Sequence, residues 1–170
     1  MTQRDIIRKW LIYALGLVPV WVLDAGVLPR YPVLGVSPML LPSAAVAVAV
    51  LEGARAGTGY GLGVGLLWEL TYPGSFGGLA AGTALAGLLT GAVTQLALRQ
   101  TLSGCLLCTG AALAVLDGLR VLWGLLTQTA PLQELLRVAV PEVVLSLIWA
   151  LPVWFWFRAL SRRVGGPGRF

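Results

Sequence analysis

The side chains able to do chemistry in this chain are few, and nearly all of them lie inside apolar runs. Cys105 and Cys108 stand in a CxxC spacing, which serves a redox dithiol or half of a zinc site. Zinc needs about four ligands, and the chain has no histidine and no third cysteine. With Leu106 and Leu107 between them, the two thiols are expected to pack as small hydrophobic groups. Without histidine there is no Ser-His or Cys-His nucleophile and no His-ligated metal, so catalysis is not expected. A membrane aspartyl mechanism would need two facing carboxylates. The candidates for such a pair are the acids Asp24, Glu69, Asp117 and Glu142, with Arg120 as a basic neighbour.

Six apolar stretches must position these groups: Trp10 to Leu28, Val33 to Leu51, Thr58 to Tyr72, Gly78 to Leu98, Leu102 to Leu126 and Val138 to Leu160. Hydrophobic residues make up 58% of the chain and charged residues 11%, with a mean hydropathy of +0.85. An ordinary globular domain is about 45–50% apolar and about 25% charged. A spanning helix needs roughly 20 apolar residues, so six spans use up nearly all 170 positions. The expected fold is an all-α membrane protein, a compact bundle of six transmembrane helices forming one integral membrane domain.

The net charge of +5 does not point to nucleic acid, because the basic residues sit at the ends of apolar runs rather than in a stripe interleaved with aromatics. They act as topology signals. With the N-terminus inside, Arg4, Arg8, Lys9, Arg55, Arg99, Arg158, Arg162, Arg163 and Arg169 face the cytoplasm, and both termini are cytoplasmic. Arg30 and Arg137 then lie in outside loops. The first run lacks a small-x-small cleavage pattern before Ala25 and is expected to stay as a signal-anchor. Trp10, Tyr31, Tyr72, Trp123, Trp154 and Trp156 fall near the predicted interfaces, while Trp21, Trp68 and Trp149 lie deeper and are expected to pack.

Gly57, Gly61 and Gly65 recur every fourth residue in the third run, so another backbone can approach closely. The fourth run offers Gly78, Gly82 and Ala86 as a matching ridge, joined to the third by the turn Tyr72-Pro73-Gly74-Ser75-Phe76-Gly77. This face serves packing within the chain, a second copy or a partner helix. At about 15 residues the third run is short, and it is expected either to lie interior or to be complemented by its loops. Pro38 and Pro42 interrupt the second run and predict a kinked or extended segment over Tyr31 to Pro42. Irregular backbone at that depth is tolerable only when it is covered by protein or faces a wet cavity, so the segment should line something polar.

In this topology Asp24, Glu69, Asp117 and Arg120 fall in the outer half of their spans, and Glu142 starts the sixth span at the same side. Each charge facing lipid at the bilayer centre costs about 2.5–3.5 kcal/mol on insertion scales. The five groups are therefore expected to converge on the bundle interior. Asp117 and Arg120, three residues apart, form the most local pair, and Glu69 is an alternative partner for Arg120. Asp24 is either a cap at the interface or part of the cluster. Proton pumping is disfavoured, because Glu52 at the edge is the only acid in the inner half of any span.

The chain resembles the rod-shape-determining MreD family of bacteria. The resemblance is carried by Ser37-Pro38-Met39-Leu40-Leu41, Glu52-Gly53-Ala54-Arg55-Ala56-Gly57, Gly61-Leu62-Gly63-Val64-Gly65-Leu66-Leu67-Trp68-Glu69-Leu70 and Tyr72-Pro73-Gly74-Ser75-Phe76-Gly77. The last run, Leu147 to Trp154, with Arg158, Arg162 and Arg163 after it, is also similar. One departure is Glu69, where the family usually carries Asp. The resemblance implies a non-enzymatic membrane component of the cell-elongation (Rod) complex, without a cofactor. Its implied partners are membrane lipids and an MreC-like single-span protein, and through it MreB, RodA and a penicillin-binding transpeptidase. It also implies the bacterial cytoplasmic membrane as location and a fold similar to substrate-binding subunits of energy-coupling-factor vitamin transporters. That similarity supplies a rival expectation, an outward-facing acidic pocket for a small cationic ligand. The first run lacks the AxxxA docking pattern of those subunits.

Overall fold

The computed structural model describes residues 3–30, 36–71, 77–96, 101–127 and 132–163. They form six α-helices: α1 (Gln3–Val22), α2 (Leu40–Glu52), α3 (Ala54–Thr71), α4 (Gly78–Leu96), α5 (Leu102–Leu126) and α6 (Leu132–Arg163). A π-helical turn, Leu23–Val27, and a 3-10 turn, Leu28–Arg30, continue α1.

The bundle is organised around α2. All 13 of its residues are buried, and it packs against α1, α3, α4, α5 and α6. Its sequence explains this position: between Leu40 and Leu51 only Ser43 is polar, and a helix without a polar face must be covered on every side. Small side chains from Ala44 to Ala49, alternating with Val46 and Val48, let five neighbours come close. The helix starts late because Pro38 disfavours helix in the residue before it, and Met39 is extended at φ −89°, ψ 98°. Pro42 falls in the first turn, where a missing N–H costs no intrahelical bond. The break expected around Pro38 and Pro42 therefore precedes the helix instead of kinking it; Tyr31 to Gly35 lie outside the described residues. At 13 residues α2 is about 20 Å long, shorter than the second apolar run. It also takes an interior position, which is one of the two alternatives expected for the third.

At Gly53, with φ +90°, the chain turns directly from α2 into α3. The α3–α4 hairpin that follows is the closest helix pair. A Cβ added at Gly57 would lie 2.6 Å from the Gly87 carbonyl oxygen, and Cβ atoms at Gly61 and Gly65 would run into Thr83 and Ala80 backbone. The opposing ridge differs from the expected one, being Ala80, Thr83, Gly87 and Gly91. Gly82 instead lies beneath Leu116 of α5, and Gly78 faces open space. The cause is helical phase: in an antiparallel pair the residues that face Gly57, Gly61 and Gly65 step by three and four from Ala80, not from Gly78. Thr83 adds a hydrogen bond from its hydroxyl to the Gly61 carbonyl at 2.8 Å.

Lys9 with Glu52, and Gln95 beside Gly53, put the starts of α1 and α3 together with the ends of α2 and α4. Large apolar side chains cover the outside, among them Leu15, Leu85, Leu89, Val115, Ile148 and Phe155, each more than half exposed. Three helical segments are long and apolar enough to cross a membrane: Ile7–Arg30, Leu102–Leu122 and Leu136–Arg163. Trp154, expected at an interface, is instead fully buried in the core beside α2.

Replacing Gly61 by Val drives methyl groups into the α4 backbone and should cost about 3 kcal/mol, whereas Gly63→Val, which meets nothing within 4 Å, should not destabilise. Thermal unfolding of the two variants in detergent checks the difference.

Candidate functional site

Two polar sites mark the two ends of α2. At its start a cavity of about 220 Å³ is lined by Asp24, Ser37, Pro38, Met39, Trp68, Arg120 and Glu142. The extended segment before α2 thus borders a polar space. Asp24 is carried into it by the π-helical turn, and its Oδ1 accepts the Leu40 N–H at 2.8 Å. This is a carboxylate cap at a helix N-terminus, where the macrodipole favours negative charge. The Ser146 hydroxyl accepts the Met39 N–H at 2.8 Å and donates to the Glu142 carbonyl at 2.6 Å, which ties α6 to the same helix start.

Arg120 sits at the centre of this end. Its Nη1 is 3.7 Å from Asp117 Oδ1, 3.9 Å from Glu142 Oε1 and 3.8 Å from Met39 Sδ, and its Cζ stands 5.0 Å above the Trp68 ring. Both ion pairs are long, and the Arg120 side chain is 44% exposed, so the guanidinium is held by a cation–π contact and diffuse attraction rather than a fork of short bonds. Asp117 is buried, and its Oδ2 has no hydrogen-bond partner among the described residues. Among the described residues Asp117 and Glu142 share the one Arg120 guanidinium, while Asp24 caps α2.

Glu69 is placed apart from this group. Its Oε1 accepts the N–H groups of Leu79 and Ala80 at 3.0 and 3.2 Å, capping α4 across the hairpin. The unpaired donors of the α4 first turn lie within reach of a side chain at the end of the glycine ridge, and they satisfy it without Arg120.

The other end of α2 holds a site that sequence reasoning does not single out. Lys9 Nζ lies 2.6 Å from Glu52 Oε2, with both side chains buried, and the Tyr13 hydroxyl donates to Glu52 Oε1 at 2.5 Å. Tyr13 also packs against Tyr60 and Phe157, and Trp10 stacks on Tyr60. By sequence Lys9 is a topology signal and Glu52 an edge residue. Two signals point further: Lys9 is the only lysine among 12 basic residues, and Glu52 closes a helix with no polar face. Cys105 and Cys108 are both buried free thiols, packed against the core as expected.

Among the described residues no group of three His, Cys, Asp or Glu side chains could hold a metal ion. The chain matches no protein-family model, no curated protein and no solved structure.

Removing one member of a buried ion pair leaves the other uncompensated, at a cost of about 3–5 kcal/mol. Lys9→Met and Glu52→Gln should each lower the unfolding midpoint and the folded yield in that range, and the double substitution should recover part of the loss. A double-mutant cycle by thermal unfolding measures the coupling.

Proposed function

We propose that this chain is a six-span protein of the bacterial cytoplasmic membrane that acts without catalysis as a scaffold of the cell-elongation complex. In this reading the end carrying Lys9, Arg55, Arg158, Arg162 and Arg163 faces the cytoplasm and both termini lie there. α2, too short to cross alone, spans with the extended residues before it under the cover of its neighbours. The partner is an MreC-like single-span protein, through which the chain reaches MreB, RodA and a penicillin-binding transpeptidase.

The observation that carries the proposal, beside the sequence resemblance, is a groove of about 370 Å³ between α4 and α5. Gly82, Ala86 and Ala112 line it beside the buried Leu116, and its rims are Leu89, Val115 and Leu119. In hydrocarbon, helices associate where small residues let side chains interlock. A long groove lined in part by small residues offers that to one transmembrane helix of a partner.

Ala111 lines the groove and is exposed, so Ala111→Trp should fill it without disturbing the core. Co-purification with the MreC-like partner should fall about tenfold while the folded yield stays unchanged, and depletion of the protein should round the cells. Unaltered co-purification of the variant would remove the groove from the account.

The polar cavity at the start of α2 supports a second reading, a transporter's substrate-binding subunit. Two carboxylates, Asp24 and Glu142, line it beside the Arg120 guanidinium, and such a lining suits a small cationic ligand. Saturable thermal stabilisation of the purified chain by such a ligand, with no binding to a single-span partner, would favour it.

A further inference from the structure

At the opposite end of the bundle a larger cavity, about 620 Å³, opens between α1, the α2–α3 junction and α4, lined by Trp10, Glu52, Arg55, Ala56 and Gln95. We propose that it binds a phosphate ester, the headgroup of an anionic phospholipid in the leaflet on that side. The inference rests on the membrane reading above but not on the scaffold role.

The charge of the cavity decides its ligand. Glu52 supplies a wall, but its charge is matched by Lys9 at 2.6 Å and its second oxygen is taken by the Tyr13 hydroxyl. Arg55 is the remaining charge. It is exposed, on the first turn of α3, and makes no ion pair among the described residues. A guanidinium presents a planar fork of donors matched to phosphate oxygens. Trp10 and Gln95 add neutral N–H donors to the lining, and Trp10 stacks on Tyr60, which fixes its ring at the rim.

Location favours a lipid over a soluble anion. Arg8, Arg55, Arg158, Arg162 and Arg163 lie at this end of the helices, where basic pockets between spans meet anionic headgroups. A water molecule occupies about 30 Å³ in the liquid, so the cavity has room for a headgroup and the glycerol behind it. Its lining, part polar and part the faces of Trp10 and Ala56, suits that join between charge and hydrocarbon.

The test uses the full chain, delipidated in neutral detergent, with its thermal midpoint followed against added phosphatidylglycerol, phosphatidylcholine or glycerol 1-phosphate. Phosphatidylglycerol should raise the midpoint saturably and phosphatidylcholine should not. Arg55→Gln, an exposed substitution expected to leave the lipid-free midpoint unchanged, should weaken the response about tenfold. Arg163→Gln, at the same end but outside the cavity, should change it less than twofold. Stabilisation by glycerol 1-phosphate alone, lost in Arg55→Gln, would support the same chemistry with a soluble source. Equal responses to the two lipids, an unchanged response in Arg55→Gln, or an equal loss in Arg163→Gln would overturn the proposal. Extraction of the chain from membranes by alkaline carbonate would instead mark failure of the membrane reading.

Discussion

The structure depends on one constraint: a helix with no exposed face must have both of its ends satisfied by other helices. α2 is buried over its whole length, so its unpaired N–H groups and its terminal carboxylate need partners on the surrounding helices. At its start Asp24 and Ser146 accept the N–H groups of Leu40 and Met39. At its end Glu52 places negative charge where the helix dipole is already negative, and Lys9 with Tyr13 offsets it. These contacts set the axial position of α1, which with its π-helical continuation touches both ends of α2. They also fix α6, which supplies Ser146 at one end and Phe157 against Tyr13 near the other.

The two ends differ in tightness. Lys9 and Glu52 are in direct contact and buried, whereas Arg120 lies nearly 4 Å from either carboxylate and is partly exposed. The first arrangement locks the bundle, and the second leaves a polar cavity lined by Asp24, Arg120 and Glu142. The outer surface divides similarly. The α3–α4 faces meet backbone to backbone, while α4 and α5 leave an apolar groove between them. Rigid contacts thus frame the surfaces to which the proposed partner and ligand are assigned.

Much of the helical architecture is legible because apolar runs and glycine spacing report helices directly. The fifth run, Leu102 to Leu126, coincides with α5, and the Gly57, Gly61, Gly65 ridge lies against α4. What cannot be read is pairing across the bundle. Glu69 and Arg120 are plausible partners by depth, but depth carries no information on azimuth, and Glu69 turns to the α4 N-terminus instead. Gly78 and Gly82 stand one helical phase away from the true ridge for the same reason. Lys9 is hidden by its place in a basic leader, where charge ordinarily faces water, and its burial follows only from the position of Glu52. Length leaves the third run either interior or complemented by its loops, whereas the absence of a polar face on α2 is the stronger signal of an interior helix.

Photolabelling from the hydrocarbon phase, with a lipid-dissolved diazirine and peptide mapping by mass spectrometry, reads the central arrangement directly. The expected result is label on Leu85, Leu89, Val115, Ile148 and Phe155, which are exposed, and none on residues 40–52. Label within residues 44–51, or none on the outer faces of α4, α5 and α6, would contradict a buried α2 surrounded by helices that face lipid.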